Sequence, residues 1–354
     1  MKKNAVVDSI STALVNTLWQ DRDIRFDVAP SEMKLRLGEK LLDTIDSVED
    51  TKGNSGDRGK LLVTNLRLMW HSHSMSRVNL SIGWNCVQNV TTRSINSKLR
   101  GTTEALYILT KTNSTRFEFI FTNLVPGNNR LFATVASVYK AYTSTRMYRE
   151  LKLRGAIIQN KQLKILPQEQ IFNKVNGVWN LSSDQGNLGS FIITNIRLVW
   201  YANMNELFNI SLPYLQMVTI KVRNSKFGMA LVVQSSEASG GYVLGFRIDP
   251  QEKLQDVYKE ISSLFTVYSN NPNFGVEYIE TKIETENLLM LDPVEDDVEI
   301  ESTDSKSDAY AAYFADGNHQ KDREAIYSEE LGLAIEKPKE GFSLSNLWEV
   351  VPKN

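Results

Sequence analysis

The stretch Thr64-Asn65-Leu66-Arg67-Leu68-Met69-Trp70 returns as Thr194-Asn195-Ile196-Arg197-Leu198-Val199-Trp200, at an offset of 130 residues. The same offset carries Glu39 onto Glu169. Solenoid repeats have periods of about 20–50 residues, so a period this long indicates tandem domains. Each copy is long enough to bury a core of its own.

Within each copy, the apolar pattern changes from alternation to a helical period. Phe117, Phe119 and Phe121 alternate with other residues, as in a half-buried antiparallel strand. Residues 131–142 and 254–264 then place apolar residues every three or four positions, as in a helix. We therefore predict a mainly β protein with α: tandem pleckstrin-homology-like domains. Each has about seven strands in a bent sheet or barrel, capped by a C-terminal helix.

The predicted domain boundaries follow from the repeat. They give an N-terminal extension at 1–28, a first domain at 29–152, a second domain at 153–269 and a tail at 270–354. Residues 144–166 contain no hinge rich in glycine and serine. We therefore expect helix to continue through 146–153 and the two domains to keep a fairly fixed relation.

The tail combines acidic and apolar segments. Residues 292–308 contain eight acidic residues and one basic residue, a composition that predicts an acidic, partly disordered segment. Apolar side chains follow, and they are expected either to dock onto a partner or to fold back onto the chain's own domains. The predicted docking residues are Tyr313, Phe314, Leu331, Leu333, Phe342, Leu347 and Trp348.

Composition narrows the class of protein. The net charge is −2, which gives no overall attraction to nucleic acid. Apolar runs stay well short of the ~20 residues that a spanning helix needs, and the N-terminal residues lack the apolar centre of a signal peptide. We therefore expect a cytosolic chain. Cys86 is the only cysteine, which excludes a disulfide framework and favours a buried structural role over a reactive thiol.

The motifs of catalysis and cofactor binding are incomplete. His71 and His73 share one strand face, but no neighbouring Asp, Glu or Cys completes a metal site. The glycine-rich loop at 53–60 departs from a phosphate-binding loop, because Leu61 stands where a Ser or Thr would hold Mg²⁺. We therefore predict that the protein is not an enzyme and has no metal or cofactor.

The charge distribution gives the positive functional signal. Residues 51–100 contain eight basic residues against Asp57 alone. Such clusters attract phosphoinositides and anionic membranes. An acidic protein partner would also fit the cluster. In a third interpretation, these basic side chains are solvated and have no binding function. Arg67 and Arg197 follow the same turn in both copies, which favours a shared structural role for them. The predicted lipid-binding residues are Lys52, Arg58, Lys60, Arg93, Lys98, Arg100, Arg223 and Lys226.

Longer strings carry a specific resemblance. They include GTTEALYILTK at 101–111, NSTRFEFIFTNL at 113–124, NGVWNLSSDQGNLG at 176–189, YAAYFADGN at 310–318 and EELGLAI at 329–335. Over nearly the whole chain, the sequence resembles the family of dual pleckstrin-homology-like subunits of the BBSome, the fifth family of Bardet–Biedl syndrome proteins.

This resemblance implies a non-enzymatic subunit of a coat-like complex that carries membrane proteins to and from cilia. Its implied partners are the other BBSome subunits, phosphoinositides or an anionic membrane surface and, indirectly, an Arf-like GTPase and ciliary membrane-protein cargo. The implied locations are the cytoplasm, the cilium and its basal body, as a peripheral membrane protein. The alternative is an independent phosphoinositide-reading membrane adaptor. The second copy has fewer basic residues, so we expect it to serve mainly in protein docking.

Overall fold

The computed structural model describes residues 21–112, 115–181, 186–278, 313, 325–328 and 333–336. The first domain is one antiparallel sheet with the strand order β1-β5-β4-β3-β2-β8-β7-β6, followed by helix α1. Its elements are β1 (Ile24–Phe26), β2 (Leu41–Asp50), β3 (Arg58–Thr64), β4 (Arg67–Ser72), β5 (Asn79–Gly83), β6 (Val87–Ser97), β7 (Gly101–Thr112), β8 (Thr115–Asn123) and α1 (Arg130–Ser144).

The second domain repeats this architecture. Its elements are β9 (Lys152–Leu153), β10 (Ile158–Gln159), β11 (Gln162–Leu163), β12 (Ile171–Asn180), β13 (Asn187–Thr194), β14 (Arg197–Ala202), β15 (Asn209–Pro213), β16 (Met217–Ser225), β17 (Gly228–Ser235), β18 (Val243–Ile248) and α2 (Leu254–Asn270). The sheet order β16-β17-β18-β12-β13-β14-β15-β9 matches that of the first domain. The prediction of two domains, each with about seven strands and a helix, is confirmed, and each sheet has an eighth, short strand at one edge.

Each helix closes its sheet with the apolar face that its sequence predicts. Leu131, Val135 and Val138 of α1 are buried in the first core cluster, together with Phe119 and Phe121 of β8. Helix α2 does the same in the second core with residues 254, 257 and 261. Burying a side chain of this size contributes roughly 1.5–3 kcal/mol, so packing against the sheet stabilises both helices.

The repeated sequence stretch forms the same turn and core contact twice. The Thr64 hydroxyl accepts hydrogen bonds from the backbone N–H groups of Leu66 and Arg67, which fixes the turn between β3 and β4. Thr194 does the same in the second domain. The Trp70 indole donates to the Val48 carbonyl at 2.9 Å, an arrangement that recurs between residues 200 and 178 at 3.1 Å. The repeat therefore encodes one structural unit used twice.

The connection between the domains differs from the prediction. Helix α1 ends at Ser144, a 3₁₀ turn occupies Arg146–Tyr148, and β9 begins at Lys152. The expected helix through 146–153 is therefore wrong. Lys152 and Leu153 instead pair with β15, because that strand offers an unpaired backbone edge that helical residues would leave unsatisfied.

The structure also tests the expectations for Cys86, for membrane-spanning helices and for the tail. Cys86 is buried, as expected. Across the described part of the chain, no helix is long and apolar enough to span a membrane. Strands β19 (Ala325–Ser328) and β20 (Leu333–Glu336) form a two-stranded hairpin in the tail. The acidic segment at 292–308 and the predicted docking residues Phe314, Leu331, Phe342, Leu347 and Trp348 lie outside the described residues.

Candidate functional site

The buried arginine of each copy has a structural role. Arg67 lies at 1% side-chain exposure and contacts both carboxylate oxygens of Glu39, at 2.9 and 3.2 Å. It also donates to the Lys34 carbonyl and the Ser81 hydroxyl. Arg197 makes the same set of contacts around Glu169, at 2.7 and 2.9 Å. The shared structural role predicted for the two arginines is confirmed, and neither is accessible to a ligand.

The outer face of the β6–β7–β8 sheet brings two predicted lipid-binding residues together. Lys52 forms an ion pair with Glu118 at 2.8 Å, and the Tyr107 hydroxyl donates to the other oxygen of that carboxylate at 2.6 Å. The Arg93 guanidinium lies 3.7 Å from the centroid of the Tyr107 ring. Burial, then the Glu118 carboxylate, raises the pKa of Tyr107 well above its usual value. Tyr107 is therefore a neutral hydrogen-bond donor that links Lys52 and Arg93 through one network.

A second set of basic residues adjoins this network at the ends of two hairpins. The Glu49 carboxylate accepts hydrogen bonds from the Gly56 backbone N–H and the Ser97 hydroxyl, so it joins the 51–57 loop to the turn between β6 and β7. Lys98 lies exposed on that turn, with its side chain beside Gly56. Arg100 donates to the Asn123 carbonyl at 2.6 Å and lines a cavity of about 330 Å³ at the start of α1.

The remaining predicted residues lie on two other surfaces. Arg58 and Lys60 project from the outer face of β3, where Arg58 donates to the Ser47 hydroxyl and Lys60 pairs with Asp46 at 3.4 Å. Arg223 is near the end of β16, and Lys226 stacks on the Phe227 ring in the following turn. We define the basic face as Lys52, Arg58, Lys60, Arg93, Lys98 and Arg100 of the first domain. The two second-domain residues belong to a separate hairpin.

The mouth of the first barrel holds a residue from the tail. Tyr313, predicted to dock, is 1% exposed and belongs to the first core cluster. Its hydroxyl donates to Asp50 at 2.5 Å and accepts from Asn54 at 2.9 Å. Its ring lies 5.0 Å from the ring centroids of both Phe26 and Phe119. For this residue, the structure shows folding back onto the chain's own domain.

The electrostatics of this mouth are acidic. Burial raises the pKa of Asp50 to about 6, although hydrogen bonds from Tyr313 and Asn54 oppose the shift. Burial raises the pKa of Tyr313 well above 10, and the negative charges of Asp50 and Asp27 act in the same direction. The hydroxyl is therefore a proton donor to a carboxylate that titrates near pH 6.

Sequence reasoning missed the partners that organise both sites. The alternation in β8 places Glu118 on the face opposite the core, but nothing in the sequence pairs it with Tyr107. Asp50 and Asn54 have no sequence signal for this role, because a contact that spans 263 residues leaves no local pattern. In the described segments, no group of His, Cys, Asp and Glu residues has the arrangement of a metal site.

Comparison with known proteins agrees with this architecture. Residues 39–144 match the family model of the Bardet-Biedl syndrome 5 protein N-terminal PH-like domain, and residues 152–278 match that of the second PH-like domain. The chain is 64% identical over 340 residues to the BBSome complex member BBS5 of Danio rerio, covering 96% of this chain and 99% of the relative. The Homo sapiens protein of that name gives the same values. The Caenorhabditis elegans BBSome complex member bbs-5 is 49% identical over 351 residues, covering 94% and 97%.

The two barrels and their closing helices define the class: this is a protein with tandem PH-like domains. Both domains match models of one family in the same order along the chain. The chain belongs to the Bardet-Biedl syndrome 5 protein family.

Proposed function

We propose that the chain is a non-enzymatic subunit of the BBSome and that its PH-like domains dock other subunits of that complex. The observation that carries this proposal is 64% identity across 96% of the chain to proteins named as BBSome complex members. The complex carries membrane proteins to and from cilia, with an Arf-like GTPase and membrane cargo as indirect partners. The chain then works in the cytoplasm, the basal body and the cilium, as a peripheral membrane protein.

The basic face is the proposed contact with phosphoinositide or anionic membrane. A basic residue close to such a surface contributes about 1 kcal/mol, and the six residues all belong to the first domain. Lys52 and Lys60 already have carboxylate partners, so a phosphate group competes with Glu118 and Asp46 for them. This competition favours a weak lipid contact that supplements subunit docking.

The mouth of the first barrel is a poor place for the same headgroup. Asp50 is buried there beside Tyr313, and the charge of Asp27 also reaches this site. At neutral pH an approaching phosphate meets carboxylates, which disfavour it. This charge favours the outer basic face over the mouth for the proposed lipid contact.

The alternative, an independent phosphoinositide-reading membrane adaptor, is favoured by a different observation. Eight of the nine charged residues between 51 and 100 are basic. In this alternative the lipid is the primary ligand, and the protein acts outside a stable complex.

Affinity purification from ciliated cells, with mass spectrometry, separates the two functions. We expect stoichiometric recovery of the other BBSome subunits with the tagged chain. Recovery of the chain alone, from cells that contain the assembled complex, contradicts the subunit role and favours the adaptor.

Charge reversal tests the lipid contact separately. We expect Arg58→Glu, Lys60→Glu and Lys98→Glu together to lower binding to phosphoinositide vesicles at least about 10-fold, because the six positive charges of the face are reduced to three positive and three negative charges. The matched control reverses Lys161, Lys253 and Lys259, three exposed residues of the second domain. Equal losses in both triple variants indicate non-specific charge attraction. Loss of subunit recovery with unchanged vesicle binding assigns the face to docking.

A further inference from the structure

We propose that the mouth of the first barrel is a docking socket selective for a tyrosine side chain, and that residue 313 fills it as an exchangeable latch. The socket is defined by Phe26, Asp50, Gly53, Asn54 and Phe119. This site is distinct from the basic face, and the proposal does not depend on the proposed lipid contact.

The shape of the socket fits an aromatic ring. The Tyr313 ring lies between Phe26 and Phe119, with both centroid distances at 5.0 Å, inside the range of favourable aromatic pairs. Gly53 forms the third wall, and a Cβ atom at that position would overlap the tyrosine ring. The backbone of Gly53 does not have a positive φ. Its missing side chain therefore serves the close approach of the ring and not an unusual turn.

The polar end of the socket distinguishes tyrosine from phenylalanine. Asp50 accepts the tyrosine proton, while Asn54 donates to the same hydroxyl and, at 2.7 Å, to Asp50. Asp50 is fully buried, so a ring without a hydroxyl leaves a desolvated carboxylate short of a donor. A hydrogen bond to a charged group of this kind corresponds to about 10–100-fold in affinity.

The socket is particular to the first barrel. Asp50 lies opposite Phe121 in the first sheet, and Asn180 takes the equivalent place opposite Phe246 in the second. The carboxylate that accepts a tyrosine hydroxyl is therefore replaced by an amide in the copy. If position 50 served only the shared fold, the second domain would be expected to keep an aspartate at position 180.

Another tyrosine can replace Tyr313 in the socket because of how Tyr313 is held there. Asp50 and Tyr313 are 263 positions apart, so the socket recognises the side chain independently of local chain continuity. A residue tethered to its own site through the chain acts there at a finite effective concentration. A second segment that presents tyrosine therefore competes with residue 313 in proportion to its own concentration.

Occupancy of the socket also affects the 51–57 loop. Gly53 and Asn54 contact the tyrosine, and Lys52 precedes them in the chain. Glu49 anchors the far side of the same loop through Gly56. When residue 313 leaves, Gly53 and Asn54 lose their contacts with the tyrosine, while Lys52 keeps its ion pair with Glu118 and Gly56 keeps its hydrogen bond to Glu49.

The test uses the full chain and a fluorescent peptide with the sequence of residues 308–317, DAYAAYFADG. We expect this peptide to bind the Tyr313→Ala chain at least about 10-fold more tightly than the wild-type chain, whose socket is already filled. Peptides with phenylalanine at 313 should bind about 10–100-fold more weakly. A phosphotyrosine peptide should not bind, because its phosphate meets Asp50.

Two further variants keep the test decisive. If the Tyr313→Ala chain unfolds, the Tyr313→Phe chain replaces it in the test, because phenylalanine keeps the ring and the core packing. This chain should bind the parent peptide more tightly than the wild-type chain does. Adding Gly53→Ala to the vacated chain should abolish peptide binding, since the new methyl group occupies the space of the ring. Equal binding of an alanine-313 peptide, or equal peptide affinity for the vacated and wild-type chains, would overturn the proposal.

Discussion

At the scale of single residues, the most instructive feature is a charged pair that the fold buries twice. Arg67 and Glu39 have side-chain exposures of 1% and 0%, and Arg197 and Glu169 repeat the arrangement. Removing charges from water is costly, and here backbone carbonyls and a serine hydroxyl complete the arginine's hydrogen bonds. The pair therefore fixes where the segment before β2 lies against the β3–β4 turn.

Replacing this arginine should be strongly destabilising in either domain. We expect Arg67→Met to lower the free energy of unfolding by about 3–5 kcal/mol, because Glu39 is left as a buried charge without its partner. Arg197→Met should have an effect of similar size. Urea unfolding measures both, and Arg247→Met is the control, since its partner Asp249 lies in an exposed pair expected to contribute at most about 1 kcal/mol. Equal effects at 67 and 247 would contradict the interpretation.

Asp50 should make stability depend on pH. Its pKa rises from an ordinary value near 3.8 to about 6 in the folded protein, so the folded state binds the proton more tightly. The stabilisation from this proton is complete below about pH 4 and is lost as the pH rises through about 6. Relative to Asp50→Asn, the wild-type chain should therefore gain roughly 2 kcal/mol between pH 7.5 and 4.5.

Urea unfolding of both chains at the two pH values measures this difference. Asp21 is also buried with a raised pKa, and subtracting the variant removes its contribution. A difference that stays constant with pH would show that Asp50 does not titrate between these values. A difference of opposite sign would show that its folded pKa lies below the ordinary value.

Sequence reasoning succeeded at the residue scale where the repeat supplied a comparison. Arg67 and Arg197 occupy equivalent positions in the two copies. Because both copies keep the arginine, a structural role is favoured over ligand binding. Asp50 offered no such signal, since the copy has Asn180 in its place. The partner of Asp50 comes from the tail, and pairing across so many residues depends on the complete fold.

At the scale of elements, both long central strands contain a bulge at the same place. Ser47 of β2 and Gly177 of β12 have φ values of 61° and 79°, where the pairing with the next strand shifts register. Only glycine adopts this conformation without strain. A bulge increases the local bend, and it lets each long strand pair with two neighbours within a bent sheet.

Gly177→Ala should be destabilising for two reasons. The positive φ costs an alanine about 1 kcal/mol or more, and the new methyl group would lie 2.5 Å from the Asp249 carbonyl oxygen. We expect a loss of at least about 2 kcal/mol in urea unfolding. Gly245→Ala is the matched control, because its methyl group meets Leu181 at an ordinary contact distance of 3.7 Å. A loss at 177 no larger than at 245 would contradict the strain argument.

The elements differ in how well the sequence predicts them. The long strands and both helices follow from alternation and helical spacing, because their burial depends on those periods. Strands β1 and β9 have three and two residues, too few to show a period. They form because β5 and β15 offer unpaired backbone edges. Backbone pairing of this kind requires no particular order of apolar and polar side chains, so the sequence does not predict it.

At the scale of the whole molecule, the two barrels are joined through a buried junction. Arg149 is 2% exposed and donates to the carbonyls of Phe274 and Tyr142, while its own carbonyl accepts from Gln216. The segment after α2 then crosses between the cores: Phe274 packs in the second cluster and Val276 in the first. The barrels therefore share apolar and polar contacts.

Arg149→Met should uncouple these barrels. The guanidinium satisfies several buried carbonyls and lies 3.9 Å from the Tyr142 ring centroid, so its removal leaves acceptors without donors on both sides of the junction. Calorimetry of the wild-type chain should show one transition for the barrel pair, and the variant should show two. Arg146→Met is the control, since Arg146 is 57% exposed and meets Glu150 at 4.0 Å. Two transitions already in the wild-type chain would show that the barrels unfold independently, and one unchanged transition in Arg149→Met would assign the coupling to residues 274–276 instead.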